Sequence, residues 1–155
     1  MNITFNVPVK RKSALPVVQG SGVAAVLLIG IRYAGGDEVY HLAAAVGVKL
    51  VIDDPIRSIE TNIEQTAALL RFVVSRGPGG GPVPTLIASS SEVYGKSTRV
   101  PFREDDDVVY GPSTVARWSY AQTKAIDEYL ALAYHAQRGL PVTVARFFNT
   151  VGPRQ

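Results

Sequence analysis

Three apolar runs, separated by amphipathic or polar stretches, predict buried strands along the chain. They are residues 37–44 (DEVYHLAA), 85–91 (TLIASSS) and 141–148 (PVTVARFF). The second run is apolar on both faces, which is typical of parallel strands covered by helices. Strands that alternate with helices indicate a parallel α/β sheet.

Two helices are predicted between these strands. Asp54 and Pro55 mark the start of the first, as N-cap and first helical residue. Apolar residues then recur every three or four positions, as in an amphipathic helix. They are Ile59, Ile63, Ala67, Leu70 and Val74. Residues 77–82 (GPGGGP) end this helix, and a second is predicted over residues 119–137, before Gly139.

The apolar segment 14–31 has the outline of a signal peptide or a short membrane span. Residues 19–22 (QGSG) interrupt it, and no clean cleavage site follows. We therefore expect a strand at residues 16–18, a glycine turn, and a helix over residues 23–31. Export or membrane insertion is the alternative.

The composition is that of an ordinary globular domain, with 155 residues, 46% hydrophobic and 19% charged. The absence of cysteine excludes disulfides and thiolate metal sites, and suits a reducing cytoplasm. With only His41 and His135, a histidine metal site is not expected. The basic run at residues 10–12 has no interleaved aromatic residues, so we expect no nucleic-acid partner.

Polar side chains are predicted to meet at the carboxyl ends of the strands, where ligands bind in open parallel sheets. Tyr120 and Lys124 lie one turn apart on a helix that starts at this edge. A nearby ammonium lowers the pKa of a tyrosine, so Tyr120 could act as a base while Ser90 holds a substrate alcohol. The alternative is that Tyr120 packs under the loop and Lys124 is a solvated helix charge.

Four motifs occur in the order, and at about the separations, of one known family. They are YHLAA (40–44), SSSEVYG (89–95), YAQTK (120–124) and RFFNTVGPRQ (146–155). The chain resembles the extended short-chain dehydrogenase/reductases that act on nucleotide sugars: 4-epimerases, 4,6-dehydratases and UDP-glucuronate decarboxylases. The resemblance implies a Rossmann-like α/β fold, NAD as cofactor, a UDP-sugar as favoured substrate and a homodimer. We expect a cytoplasmic enzyme without nucleic-acid or membrane partners.

The resemblance also implies roles for individual residues. Tyr120 would be the base, Lys124 its partner and a ligand of the cofactor ribose, and Ser90 the catalytic hydroxyl. Ser90 is chosen over the adjacent serines because the family's catalytic hydroxyl stands four residues before the tyrosine of VYG, here Tyr94. Glu92 completes the catalytic set, and Asn62 would brace the strand ends. The further cofactor contacts would be Leu42, Ala43, Ala44, Thr61 and Phe147, and the substrate contacts Asn149 and Arg154.

The first 36 residues depart from the family pattern. The family begins with a strand and a G-x-x-G-x-x-G turn that binds the NAD pyrophosphate, and this chain offers only GSGVAA at residues 20–25. The family's second and third strands have no counterpart, and the chain stops where a sugar-binding domain would begin. We expect an atypical segment over residues 1–36 and the catalytic core of the NAD-binding domain over residues 37–155, as part of a longer enzyme.

The expected reaction begins with oxidation at C4 of the sugar, followed by 4-epimerisation. UDP-glucuronate-type decarboxylation is an alternative, and a truncated non-catalytic remnant or interaction module is another. Dehydration is disfavoured because Ser91 stands where the dehydratases carry a proton-donating aspartate. With two strands missing, we expect four parallel strands with helices on one face. The bare apolar face would favour self-association, and NAD would bind weakly.

Overall fold

The computed structural model describes residues 28–33, 36–42, 44 and 48–149. Its strands are β1 (Leu28–Tyr33), β2 (Gly36–His41), β3 (Thr85–Ser90) and β4 (Val142–Phe147). Its α-helices are α1 (Val48–Asp53), α2 (Pro55–Val73) and α3 (Trp118–Arg138). Short 3-10 turns cover Pro78–Gly80 and Ser91–Tyr94.

The strands form one sheet in the order β1-β2-β3-β4. Strands β2, β3 and β4 run parallel, with Val39 opposite Thr85 and Ser90 opposite Phe147. Helices α1 and α2 connect β2 to β3, and α3 connects β3 to β4. Crossover connections of this kind are what parallel pairing requires. The three strands predicted from the apolar runs are confirmed, together with the parallel sheet and its flanking helices.

Strand β1 contradicts the helix predicted over residues 23–31. Residues 28–31 belong to a strand that pairs antiparallel with β2, Leu28 opposite His41 and Tyr33 opposite Gly36. Two residues separate these strands, whereas a parallel crossover needs about a dozen. The expectation of four parallel strands was therefore wrong at β1. The strand and glycine turn predicted over residues 16–25 lie outside the described residues.

Helix α2 begins as predicted. The Asp54 carboxylate caps it by accepting a hydrogen bond from the Arg57 backbone N–H at 3.2 Å. Of the predicted apolar stripe only Leu70 is fully buried. The buried face of α2 is made mostly of residues one position along the chain from that stripe. It includes polar residues that bind α3 and β2. The buried residues of α2 are Ser58, Asn62, Gln65, Thr66, Leu69, Leu70 and Val73.

Helix α3 packs beside α2 on one face of the sheet. It ends at Gly139 as predicted, where a φ of 66° suits glycine and the backbone N–H donates to the His135 carbonyl. The core between the helices and the sheet consists of Leu69, Leu70, Val73, Val83, Ile87, Ala131 and Leu140. On β3, Ile87 and Ser89 are buried beneath the helices, whereas Leu86 and Ala88 on the opposite face are half-buried. Neither α2 nor α3 covers that face.

We predict that Leu70→Ala lowers the free energy of unfolding by about 2–5 kcal/mol, because Leu70 is fully buried in the core and its truncation leaves a cavity. Ile56 on the same helix is 70% exposed, so Ile56→Ala is the matched control and should cost about 0.5 kcal/mol or less. Urea denaturation followed by the fluorescence of Trp118 measures both. Equal losses in the two variants would contradict this description of the core.

Candidate active site

The carboxyl ends of β2, β3 and β4 lie at one edge of the sheet because these strands are parallel. Ser90 ends β3 and is paired with Phe147, which ends β4. Helix α3 places Tyr120 in its first turn, near the same edge. The convergence predicted from the sequence is confirmed for these segments.

Tyr120 and Ser90 lie at this edge close enough for the Ser90 hydroxyl to act on the ionisation of Tyr120. Burial raises the pKa of Tyr120 above its usual value, the Ser90 hydroxyl opposes that change, and the negative charge of Glu92 adds to it. The Ser90 oxygen accepts a hydrogen bond from the Glu92 backbone N–H at 3.2 Å.

Lys124 is buried, with 3% of its side chain exposed. Its ammonium group donates a hydrogen bond to the Ala88 carbonyl at 2.9 Å and lies 3.6 Å from an Asp127 carboxylate oxygen. Burial lowers the pKa of Lys124, and Asp127 opposes that change. The alternative that Lys124 is a solvated helix charge is therefore wrong.

The predicted lowering of the Tyr120 pKa is wrong for this structure. The pKa of Tyr120 is raised, because burial outweighs the favourable contacts of its hydroxyl. The Lys124 side chain extends to the backbone of β3, where Ala88 and Asp127 bind it. Spacing along α3 predicted the shared helix face correctly, but it did not reveal these partners.

Glu92 lies at the rim of the site, in the 3-10 turn that follows β3. Its carboxylate is half exposed and lies 3.5 Å from the Arg117 guanidinium, which is also exposed. A solvent-exposed pair of this kind adds little to stability. Its charge nevertheless acts on Tyr120.

Four of the residues predicted to contact the cofactor lie in the part of the chain that the structure describes, and their role stays a prediction. Leu42 and Phe147 follow or end their strands with about half of their surface exposed, and Ala44 and Thr61 are half-buried. Asn149 is exposed just after β4. Ala43 and Arg154 lie outside the described residues.

Asn62 joins α2 to α3, and its predicted role in bracing the strand ends stays a prediction. Its side-chain amide donates to the Thr123 hydroxyl at 3.4 Å, and that hydroxyl donates to the Tyr120 carbonyl at 2.8 Å. Asn62 and Thr123 are both buried. These contacts support the turn of α3 that carries Tyr120.

Glu128 and Arg146 form a largely buried ion pair that the sequence analysis missed. Two nitrogens of Arg146 donate to the two carboxylate oxygens of Glu128 at 2.9 and 2.8 Å, and the Ser89 hydroxyl donates to the same carboxylate. This bidentate geometry is the strong form of the arginine–carboxylate interaction. The pair joins α3 to β4. The Ser89 hydroxyl also joins the pair to β3, at the residue before Ser90. Glu128 stands four residues after Lys124, so helical spacing could have indicated it.

Asp127 and His41 are two further buried polar residues, and the sequence analysis did not single out Asp127. Each is 1% exposed, and the His41 ring lies 3.3 Å from the Thr66 hydroxyl of α2. Burial raises the pKa of Asp127 to about 6, although the Lys124 ammonium opposes this change. Burial and the charge of Lys124 lower the pKa of His41 to about 4.

Two kinds of feature are absent from the part of the chain that the structure describes. No group of three or more histidine and carboxylate side chains is arranged to hold a metal ion there. Within the same residues, no helix combines the length and the apolar character needed to cross a bilayer.

Comparison with known proteins gives a match over most of the chain. The family described as GDP-mannose 4,6 dehydratase matches residues 30–155. A UDP-N-acetyl-alpha-D-glucosaminuronate decarboxylase of Bacillus cytotoxicus is 48% identical over 118 residues, which are 76% of this chain and 35% of that protein. UDP-glucuronate 4-epimerase 3 of Arabidopsis thaliana is 38% identical over 116 residues, 74% of this chain and 25% of that protein.

A similar solved structure is a dTDP-glucose 4,6-dehydratase from Streptomyces venezuelae with NAD bound. It superposes with a TM-score of 0.63 and 30% identity, over 76% of this chain and 34% of that one. The chain thus spans a quarter to about a third of the length of these relatives.

The buried groups make a prediction for the pH dependence of folding. The pKa of His41 falls from 6.5 to about 4, so its contribution to stability is present above pH 6.5 and is lost as the pH falls toward 4. The pKa of Asp127 rises from 3.8 to about 6, so its contribution is present below pH 3.8 and is lost as the pH rises through 6. Between pH 7 and pH 5 the two effects oppose each other.

Asp127→Asn removes one of these opposing effects. We expect this variant to lose about 2 kcal/mol of unfolding free energy between pH 7 and pH 5, and the unsubstituted protein to lose less than half as much. Urea denaturation at several pH values measures the difference. Asp53→Asn, at an exposed carboxylate of α1, is the control and should follow the unsubstituted protein. Parallel curves for all three proteins would contradict the prediction.

Proposed function

The chain belongs to the GDP-mannose 4,6 dehydratase family, within the extended short-chain dehydrogenase/reductases, and on this premise we propose that it carries out NAD-dependent modification of a nucleotide sugar. Members of this family are NAD-dependent nucleotide-sugar epimerases and dehydratases. The four sequence motifs predicted this family correctly. The proposed first step is oxidation of the sugar at C4.

The observation that carries this proposal is the proximity of Tyr120 and Ser90 at the carboxyl edge of the sheet, with Lys124 one turn away. Tyr120 accepts the proton of the C4 hydroxyl, and Ser90 donates a hydrogen bond that orients this group. The C–H bond at C4 breaks as the ketone forms, and its electron pair leaves as hydride. Bound NAD+ would supply the acceptor for this hydride.

The raised pKa of Tyr120 is compatible with this role. A phenol that is protonated at neutral pH in the free protein must become basic when the ligands bind. Glu92 opposes ionisation and Ser90 favours it, so the charge and water content of the occupied site decide its basicity. Tyr120 is half-buried, and a sugar that covers it removes the remaining water.

The described residues fit the nicotinamide side of a dinucleotide. Phe147 offers exposed apolar surface beside Ser90, and Leu42 is similarly exposed just after β2. Lys124 can supply ammonium hydrogens one turn from Tyr120. Thr61 is half-buried on α2, and its place in the cofactor site stays a prediction. Asn149 follows β4 and is exposed, as a residue that contacts the nucleotide part of a substrate must be.

We propose a UDP-uronate as substrate, because the two relatives of highest identity described above are named for UDP-linked uronates. Decarboxylation after C4 oxidation is supported by the 48% identity to a decarboxylase. A ketone at C4 makes the uronate a β-keto acid, which loses carbon dioxide readily. The 4-epimerisation preferred from the sequence remains the second candidate, supported by the 38% identity to an epimerase.

A homodimer is part of the proposal, with a cytoplasmic location as predicted from the composition. Helix α3 exposes three large apolar residues three positions apart: Ile126, Tyr129 and Leu132 are 48%, 69% and 53% exposed. Such a row is suited to packing against a second copy of the chain.

Sedimentation equilibrium tests the proposed dimer. Tyr129→Glu should shift the protein to monomer, and an unchanged mass would contradict the interface.

We predict that Tyr120→Phe lowers turnover by about 10²- to 10⁴-fold, because it removes the proton acceptor and little volume. The test uses a chimera in which this chain replaces the matching segment of the Bacillus cytotoxicus decarboxylase, with UDP-uronates and NAD+ as reactants. Tyr134→Phe is the matched control, since Tyr134 lies near the other end of the same helix, outside the proposed site and interface. It should leave turnover unchanged.

Product analysis by NMR separates the two branches. Release of carbon dioxide supports decarboxylation, and a C4 epimer that retains its carboxylate supports epimerisation. Full turnover in Tyr120→Phe would contradict the base assignment. If the full 155-residue chain binds neither NAD+ nor a UDP-sugar in calorimetry and the chimera is inactive, the non-catalytic remnant is the better interpretation.

A further inference from the structure

Asp127 is a buried carboxylate for which the proposed reaction has no direct use. It lies three residues after Lys124 on α3 and is 1% exposed. Removing a carboxylate from water is unfavourable by several kcal/mol unless charges or hydrogen bonds compensate it. A carboxylate buried at this position, beside Lys124, therefore requires a compensating charge or hydrogen bond.

The surroundings of Asp127 come from three elements. On α3, the Lys124 ammonium is 3.6 Å from its carboxylate, and Glu128 and Tyr120 are close enough to interact with it electrostatically. The Thr66 hydroxyl of α2 favours the ionised carboxylate and also contacts the His41 ring of β2. Lys124 is thus the cation that faces this carboxylate among the described residues.

An ammonium group has three hydrogens to donate. One goes to the Ala88 carbonyl at 2.9 Å, and the Asp127 carboxylate, 3.6 Å away, attracts the ammonium by charge rather than by a hydrogen bond. Ala88 is two residues before Ser90 on β3, so this arrangement fixes the lysine relative to the hydroxyl of the site. A further hydrogen is left for Tyr120 or for a ligand.

We propose that Asp127 is a positioning residue that keeps the Lys124 side chain charged and drawn against β3, one turn from Tyr120. Without it, the buried ammonium would have a single neutral partner, and its neutral form would be favoured. The pairing also matters for Tyr120, because an unpaired negative charge at Asp127 would disfavour a phenolate there. Its consequence for catalysis rests on the proposed function, whereas its effect on Lys124 does not.

The test measures the titration of Lys124 in the full chain by NMR, with ¹³C-labelled lysine. The chain has five lysines, and Lys124→Arg identifies the signal. Asp127→Asn should lower the pKa of Lys124 by about one unit or more, since an opposite charge within about 4–6 Å shifts a pKa by that amount. Asp127→Glu should restore most of it. Glu60→Gln, at an exposed carboxylate of α2, is the control and should have no effect.

An unchanged Lys124 titration in Asp127→Asn would overturn the proposal, as would an equal fall in Asp127→Glu and Asp127→Asn. If Asp127→Asn does not fold, the unsubstituted protein decides the question. Its Lys124 signal should then show a step near pH 6, where Asp127 takes up a proton, and its absence would count against the pairing. None of these measurements requires turnover, so the result is separate from that for C4 oxidation.

Discussion

The packing of one face of α3 against the carboxyl half of β3 is the contact on which the site depends. Lys124 binds the Ala88 carbonyl, and Glu128 accepts a hydrogen bond from Ser89. Both contacts come from residues one turn apart, so they fix the rotation of α3 about its axis. Tyr120, one turn earlier, is thereby placed beside Ser90. Without this packing the tyrosine and the serine would have no fixed relation.

The charges in this contact are arranged as two separate buried pairs. Arg146 neutralises Glu128 with two hydrogen bonds, and Lys124 faces Asp127. Burial of a carboxylate without such a partner would be strongly destabilising, so each acid depends on its base. The Glu128 pair joins three elements, whereas the Asp127 pair lies behind Tyr120 and shares its surroundings with Thr66 and His41. Structural and chemical roles are thus divided between adjacent residues of one helix.

The face of the sheet opposite α2 and α3 is not covered by either of these helices. Helices α2 and α3 lie on the face of Ile87, and Leu86 and Ala88 on the other face stay half-buried among the described residues. The chain spans about a third of the decarboxylase it resembles. The proposed chemistry concerns the carboxyl edge of the sheet, where Ser90, Tyr120 and Lys124 lie among the described residues.

The sequence by itself determined the parallel strands, the two long helices, the family and the convergence of Ser90 with Tyr120, because apolar periodicity, caps and motif spacing are local signals. Only the tertiary structure decided the direction of β1, since a two-residue connection between apolar strands forces an antiparallel pair. It also decided where Lys124 points and why Asp127 can be buried. These depend on partners 36 residues away or more, such as Ala88 and Thr66, and no pattern along α3 encodes them.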